Sequence, residues 1–409
     1  MNSFEPFNTV FKRLYYTNNK LNGLFMLSEI ASQPKAENGP AILFFSGGSA
    51  LAKLSKAIKQ YTHNSFHLVT TFDSGGCSAQ LRQHFDMPAI GDIRNRLLAL
   101  ANDQNVNIAS AIKLLNLRFP SDQSQAQLEQ KLKAIINRQM PHFQKITPAS
   151  QNIICNYLKH FYSVMPADFS LKSASIGNLC LTGGYLLANR QLQPVIEQFS
   201  HILDVKGKVS PIIEDLYHLI AEFADGQTVA GQHNITGKEV KPINQKISQV
   251  FLSESEFQPT PITPAINAQL QKDITCADLI CYPPGSFYSS ILVNLIPQGV
   301  SSSIAQAKCN KVYVPNLGTD PEQYAMSMMD TINALLNYLK RGCQINTQDQ
   351  DLLNYVVLDE QISQCVSFND EARLASHGIN IIRASLVSPE SAPYYDNKKL
   401  SELLISLAK

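Results

Sequence analysis

The chain has little net charge and no concentrated charge. Its 409 residues carry 34 Lys and Arg against 33 Asp and Glu, for a formal net charge of +1, and only 16% of residues are charged. Without a block of like charge, electrostatic capture of nucleic acid or of an anionic membrane surface is not expected. No uninterrupted apolar stretch approaches the roughly 18–20 residues that span a bilayer. The start, MNSFEPFNTVFKR, lacks the basic start and long apolar centre of a signal peptide. Neither HExxH nor HxH spacing occurs among the nine histidines. His63 and His67 lie four apart, but Asn64 and Ser65 between them suggest a turn rather than a metal-ligating helix. The eight cysteines are scattered, and the closest pair, Cys276 and Cys281, fits neither a zinc knuckle nor a redox CxxC. That usage suits a reducing compartment, where a buried cysteine is a small hydrophobe. The expectation is a soluble, cytoplasmic protein with neither nucleic acid nor membrane as partner.

What the chain does have is an ordinary apolar content, 44%, and hence material for a sizeable core. It also has a recurrent pattern. AILFF (41–45) is short and wholly apolar, as expected of a strand buried on both faces, and it runs into SGGSA and then LAKLSKAIKQY. In that last segment Leu51, Leu54 and Ile58 recur at helical spacing. HLVTTF (67–72) leads into DSGGCS, DLICY (278–282) into PPGS, and KVYVP (311–315) into NLGTDPEQ. Strands alternating with helices predict a mostly parallel sheet with helices on both faces. The loops after such strands share one edge, and ligands bind there where the strand order reverses. Residues 39–409 read as a single α/β domain after a 1–38 extension. It carries a helical insertion over about 103–170, for which packing support is the reading preferred to a lid. LLNYVVLD and INIIRASLV look like further strands, and DNKKLSELLISLAK like a closing helix.

The loops carry the candidate chemistry. Gly47, Gly48 and Ser49 follow the first strand, where glycine lets a backbone approach a ligand and the next helix offers amides to an anion. The stretch is neither a Walker A sequence nor GxGxxG. Asp73 stands at the tip of the second strand beside Ser74, Gly75 and Gly76. Its carboxylate suits Mg²⁺ bridging phosphate oxygens, a ribose hydroxyl, or a plain helix cap near Ser78. In IGDIRNRLLALA, Asp92 is expected to cap a helix with Arg94 and Asn95 in its first turn. An arginine there opposes the helix dipole and suits two hydrogen bonds to a phosphate, or a surface pair with Asp92. Pro284, Gly285 and Ser286 form another close-approach turn, with Ser286 expected as cap and the amides after it open to an anion. Phe287 and Tyr288 after it suit core packing or stacking on a ring.

Taken together these stretches resemble the CofD/YvcK family, the 2-phospho-L-lactate transferase-like proteins. The segments GGSALAKL, DSGGCSAQLR, IGDIRNRLLALA, SIGNLCLTGGYL, LICYPPGSFYSSILVNLI and KVYVPNLGTDPE fall in the family's order, and AEFADGQTVAGQHNIT looks like its variable strand pair. The resemblance implies a Rossmann-like fold, an α/β sheet with helices on both faces and a helical insertion, and a nucleoside-diphosphate or nucleotide-sugar ligand on the converging loops, and it adds Gly177, Asn178 and Asn316 to the candidate binding residues. It implies catalytic roles for Asp73, Asp92 and Arg94, Mg²⁺ held at Asp73, and a homodimer. One branch transfers a phospho-acid group from a guanosine diphosphate carrier to an alcohol; the other resembles a UDP-sugar-binding regulator of carbon and cell-wall metabolism. This chain departs from the family at Ser46, Ser49 and Ala50, where the family's opening loop is typically GGGTG. It departs again at Ser74, where the family's second aspartate is missing. A single carboxylate weakens binding of a hard cation, unless Asp92 supplies the second charge.

Overall fold

The structure, a computed structural model, describes residues 35–236 and 245–408. The expected N-terminal extension therefore falls, up to residue 34, outside the described residues.

The strands are β1 (Ile42–Ser46), β2 (Phe66–Val69), β3 (Lys208–Pro211), β4 (His218–Phe223), β5 (Thr228–Ala230), β6 (Ile247–Ser253), β7 (Leu279–Tyr282), β8 (Asn310–Tyr313), β9 (Tyr355–Asp359) and β10 (Asn380–Ala384). Seven of them form one sheet in the order β10-β9-β8-β7-β1-β2-β3, with every pairing parallel. This is the parallel sheet expected from the strand–loop–helix repeat, and the Rossmann-like α/β architecture that the family resemblance implies. The order reverses at β1, which pairs with β2 on one side and β7 on the other. β1 is buried along its whole length because both of its faces meet core. Ile42 and Phe44 point to one face with Leu279, Cys281 and Val312, while Leu43 and Phe45 point to the other with Leu68, Ile280 and Tyr282. The remaining strands form an antiparallel sheet in the order β5-β4-β6, the strand pair expected in AEFADGQTVAG. Tyr338 pins this small sheet to the body, its hydroxyl accepting from Val250 N at 2.7 Å and donating to Val250 O at 3.0 Å.

The helices are α1 (Ala52–Ile58), α2 (Gly76–Phe85), α3 (Gly91–Leu100), α4 (Val106–Asn116), α5 (Gln125–Ile136), α6 (Pro148–Val164), α7 (Ile176–Leu187), α8 (Gln193–Leu203), α9 (Gln232–Thr236), α10 (Ala268–Thr275), α11 (Val300–Gln306), α12 (Met328–Lys340), α13 (Phe368–Ser376) and α14 (Asn397–Leu407). α1 and α14 cover one sheet face through Leu54, Ile58, Leu400 and Leu404. Helices α3 to α8 build a second core beside β2 and β3, in which Leu128, Leu132 and Ile135 of α5 and Ile154, Leu158 and Phe161 of α6 are buried. Each of α5 and α6 begins at a side-chain cap, Ser124 and Thr147, which satisfies amides the helix cannot. No helix among the described residues is long and apolar enough to cross a membrane.

Candidate active site at the strand-order reversal

The turns that follow β1, β2 and β7 meet over the edge of the sheet at the β1/β7 reversal. With the start of α3 and α9 they line a cleft open to solvent. Ser46, Gly47 and Gly48 come from the first turn, Asp73 and Gly75 from the second, and Pro284, Gly285 and Ser286 from the third. Asp92 and Asn95 of α3 close one side, and Gln232 and His233 of α9 the other. Segments up to some 240 residues apart in sequence thus share a single wall, as the topology of a parallel sheet requires.

The glycine turn is packed too tightly for side chains. A Cβ on Gly47 would coincide with Ser290 Oγ and Cβ, and one on Gly48 would lie 3.0 Å from Asp92 Oδ1. From beneath, the turn is held by Arg96, which the sequence reading did not single out. Its guanidinium is fully buried; Nη2 donates to Ser46 Oγ at 2.7 Å, Gly47 O at 3.2 Å and Gly48 O at 3.3 Å, while Nη1 donates to Ser55 Oγ of α1. Burial lowers its pKa to about 10, against the pull of the Asp92 carboxylate, so it stays charged at neutral pH. Asn294 adds a donor from the far side, to Ser46 O at 3.3 Å.

Asp73 bends its own loop, Oδ1 accepting from Gly75 N at 3.1 Å in an Asx-type turn. Gly76, at φ +47°, opens α2 without a side-chain cap. Asp92 does not cap α3 as expected. It lies inside the first turn of the helix, whose N-cap is Ile90, and Thr70 Oγ1 lies 3.5 Å from its Oδ2. Gly91 is hemmed in by Ser78, Asp73 and Asn178: a Cβ there would stand 2.6 Å from Ser78 Oγ, 3.5 Å from Asp73 Oδ2 and 3.8 Å from Asn178 Nδ2. Asn178 is thereby a neighbour of the cleft floor rather than part of its lining.

Arg94 stands elsewhere than the sequence suggested. Its side chain turns away from the cleft into the α3/α7 contact, where Nη1 donates to Ser175 Oγ and Nη2 to Asn95 Oδ1 at 2.6 Å. Gly177 fits between the Leu115 carbonyl and this side chain: a Cβ on it would be 2.5 Å from Leu115 O and 2.7 Å from Arg94 Cδ. Burial, then Arg118, lowers the Arg94 pKa to about 10. Arg94 is therefore neither a surface ion pair nor an arm into the cleft, and among the described residues no lysine or arginine lines it.

The turn after β7 differs as well. Ser286 makes no side-chain cap, and the segment after it is a wide π turn, Phe287–Ile291, followed by a 3-10 turn, Leu292–Leu295. The amides expected to face an anion already have one each: Phe287 N donates to Asp320 Oδ2 at 2.8 Å, and Tyr288 N and Ser289 N donate to Glu322 Oε2 at 2.7 and 2.9 Å. Glu322 is buried, and burial, then the adjacent Asp320, pushes its pKa up to about 7. Asn316 clamps the same turn like a strand partner, accepting from Gly285 N at 2.9 Å and donating to Gly285 O at 2.7 Å. Phe287 and Tyr288 are core residues. Ser49 begins the 3-10 turn Ser49–Leu51. His67, the other histidine of the early pair, is buried in β2 and stacked on Phe44.

Ser74 is beside the cleft through a partner that sequence reasoning missed. Its Oγ lies 2.8 Å from His233 Nδ1. The signal for His233 was thin: one polar run, GQHN, after a strand pair.

Comparison with known proteins follows the same outline. A family model described as 2-phospho-L-lactate transferase CofD matches residues 42–387. The chain is 27% identical over 378 residues to the gluconeogenesis factor of Bacillus subtilis, across 90% of this chain and 98% of that one. It is 25% identical over 377 residues to the gluconeogenesis factor of Halalkalibacterium halodurans, across 89% and 95%. A solved structure of a UPF0052 family protein from Bacillus halodurans superimposes with a TM-score of 0.63 at 23% identity, covering 90% of this chain and 99% of that one. That last likeness shows a shared fold.

Proposed function

We propose, on the premise that this chain belongs to the CofD family, that the cleft binds a nucleoside-diphosphate compound with its diphosphate over the Ser46–Gly48 turn. One observation carries the reading: the turns after β1, β2 and β7 surround a single cleft at the strand-order reversal, with glycines where the backbone must come close. Arg96 places a buried positive charge directly under that turn. Two carboxylates, Asp73 and Asp92, also line the cleft, and alone they would repel a diphosphate. Their presence fits a Mg²⁺-type ion, which takes one or two carboxylates and completes its shell with phosphate oxygens and water. Among the described residues there is no cluster of three or more His, Cys, Asp or Glu. The donor set therefore suits an ion that arrives with a phosphorylated ligand, with Asp73 and Asp92 as its protein ligands. Such an ion supplies charge neutralisation between the carboxylates and the diphosphate.

The best-supported role is binding without bond cleavage, as a regulator that senses a UDP-sugar-type ligand and acts on carbon and cell-wall metabolism. Among the described residues, with Arg94 turned away, no cationic side chain of the lining meets charge that would build on a transferring phosphoryl group. Relatives named gluconeogenesis factor support the carbon-metabolism part of this reading. The family match and the paired Asp73 and Asp92 favour a second reading, transfer of a phospho-acid group of the 2-phospho-L-lactate type from a guanosine diphosphate carrier to an alcohol. Calorimetry with UDP-N-acetylglucosamine and with GDP, each with and without Mg²⁺, separates these. Mg²⁺-strengthened binding with the nucleotide recovered intact supports the sensor. Consumption of a guanosine diphosphate donor on adding an alcohol acceptor supports the transferase. No measurable binding of either nucleotide overturns both.

A further inference from the structure

The cleft has a second wall of different chemistry, built from α9 at the edge of the small sheet with Ser74 beside it. We propose that Gln232 and His233 recognise an uncharged, hydroxyl-bearing part of the ligand, a ribose or a sugar, while the Ser46–Gly48 turn takes the diphosphate. This rests on the nucleoside-diphosphate reading and assigns that ligand its specificity residues.

Gln232 is 8% exposed and lines the cleft, and its Oε1 has no hydrogen-bond partner among the described residues. A buried amide oxygen left without a donor costs the fold its desolvation. A ligand hydroxyl or N–H supplies the missing donor. A phosphate oxygen cannot, because it only accepts.

His233 beside it is oriented by Ser74. The Ser74 hydroxyl accepts from His233 N at 3.4 Å and stands 2.8 Å from His233 Nδ1. Where the hydroxyl donates to Nδ1 the ring proton sits on Nε2, and where it accepts from Nδ1 the free Nε2 is an acceptor. In the first tautomer His233 offers a donor beside the acceptor on Gln232, and in the second it offers an acceptor. Together they match a sugar hydroxyl, which both donates and accepts.

The arrangement is built into the backbone. Gly231 sits at φ +92°, a conformation that favours glycine, and a Cβ there would lie 2.8 Å from Ser74 Oγ and 3.0 Å from His233 Nδ1. Gly231 N is tied to Leu219 O of β4 at 2.8 Å, and Ile235 anchors α9 in the core. Three residues separated by about 160 positions therefore meet through a turn only glycine accommodates.

The test compares the full-length wild type with Gln232→Leu and Ser74→Ala, titrated calorimetrically with inorganic pyrophosphate, UDP and UDP-N-acetylglucosamine in Mg²⁺. Thermal unfolding of each unliganded protein is recorded alongside. Gln232→Leu is expected to keep or raise the unfolding temperature, because it removes an unsatisfied polar atom, while weakening binding by about tenfold for the ligand part it touches. Ser74→Ala, which leaves His233 in place but unoriented, is expected to weaken the same ligands. Loss for UDP and UDP-N-acetylglucosamine but not pyrophosphate places a ribose at this wall. Loss for UDP-N-acetylglucosamine alone places the sugar there. Equal loss for all three probes, or no loss for any, overturns the assignment, as does destabilisation of Gln232→Leu with affinities unchanged. A wild type that binds none of the probes brings down the underlying reading as well.

Discussion

Arg96 and Ser46 are joined by a 2.7 Å hydrogen bond from Nη2 to Oγ, which puts a fully buried guanidinium directly beneath the turn that forms the cleft floor. The same nitrogen donates to Gly47 O and Gly48 O, so both turn carbonyls are held inward. A planar fork can serve several acceptors at fixed angles where an ammonium cannot.

Replacing Arg96 with methionine is therefore expected to lower stability by about 3–5 kcal/mol, because the turn carbonyls lose their donor and Asp92 loses a buried opposite charge. Arg96→Lys should recover part of that loss, since it returns the charge without the fork. Urea denaturation monitored by circular dichroism measures both; a methionine variant within experimental error of wild type would contradict the role given to Arg96.

Gly47→Ala should close the cleft from inside. The new Cβ would overlap Ser290, which sits on the π turn and cannot retreat without moving the β7 loop. The expected cost is about 1–3 kcal/mol in stability, as for other overpacked sites, together with loss of nucleotide binding. Gly226→Ala is the matched control, because a Cβ there meets nothing within 4 Å although its φ is +81°. If both variants bind nucleotide like wild type, the turn does not form the binding floor.

Glu322 makes stability depend on pH in an unusual direction for a carboxylate. Burial raises its pKa from 4.5 to about 7 in the folded chain, against the donors Ser289 and Tyr288 that favour the charged form. Over that window the folded protein holds more protons at this site than the unfolded chain, so stability falls as pH rises. The contribution is complete below the unfolded value and lost once pH passes about 7. Glu322→Gln, neutral throughout, should flatten this part of the curve. Unfolding temperature against pH for the two proteins checks it, and parallel curves between pH 5 and 8 would contradict it.

Asp73→Asn should reduce the gain in nucleotide affinity that Mg²⁺ brings, since one of two lining carboxylates is lost. Binding in the absence of Mg²⁺ should hold or improve, because a repulsive charge is removed. Titrations at matched ionic strength measure the ratio, and an unchanged Mg²⁺ effect would take Asp73 out of the metal role.

The parallel sheet was legible because its strands are short apolar runs buried on both faces, and each runs into a loop of glycine, proline or serine. Convergence of the loops then follows from topology alone, and Gly47, Asp73 and Gly285 line one cleft accordingly. Side-chain direction was not legible. Arg94 and Arg96 are two apart on one helix, so they leave it in widely different directions, and nothing local says which one turns to the cleft. The amides after Ser286 looked open because the carboxylates that fill them, Asp320 and Glu322, lie more than thirty residues downstream. Gln232 and His233 were missed because their role depends on how a second sheet docks, which no local pattern encodes.

The central claim is that the turns after β1, β2 and β7 close around one diphosphate. Hydrogen–deuterium exchange of the wild-type protein, with and without UDP-N-acetylglucosamine and Mg²⁺, tests it most directly. The expected result is joint protection of peptides covering 45–51, 73–78 and 283–290, with little change in those covering α5 and α6. Protection confined to one of the three turns, or appearing only far from the β1/β7 reversal, would contradict it.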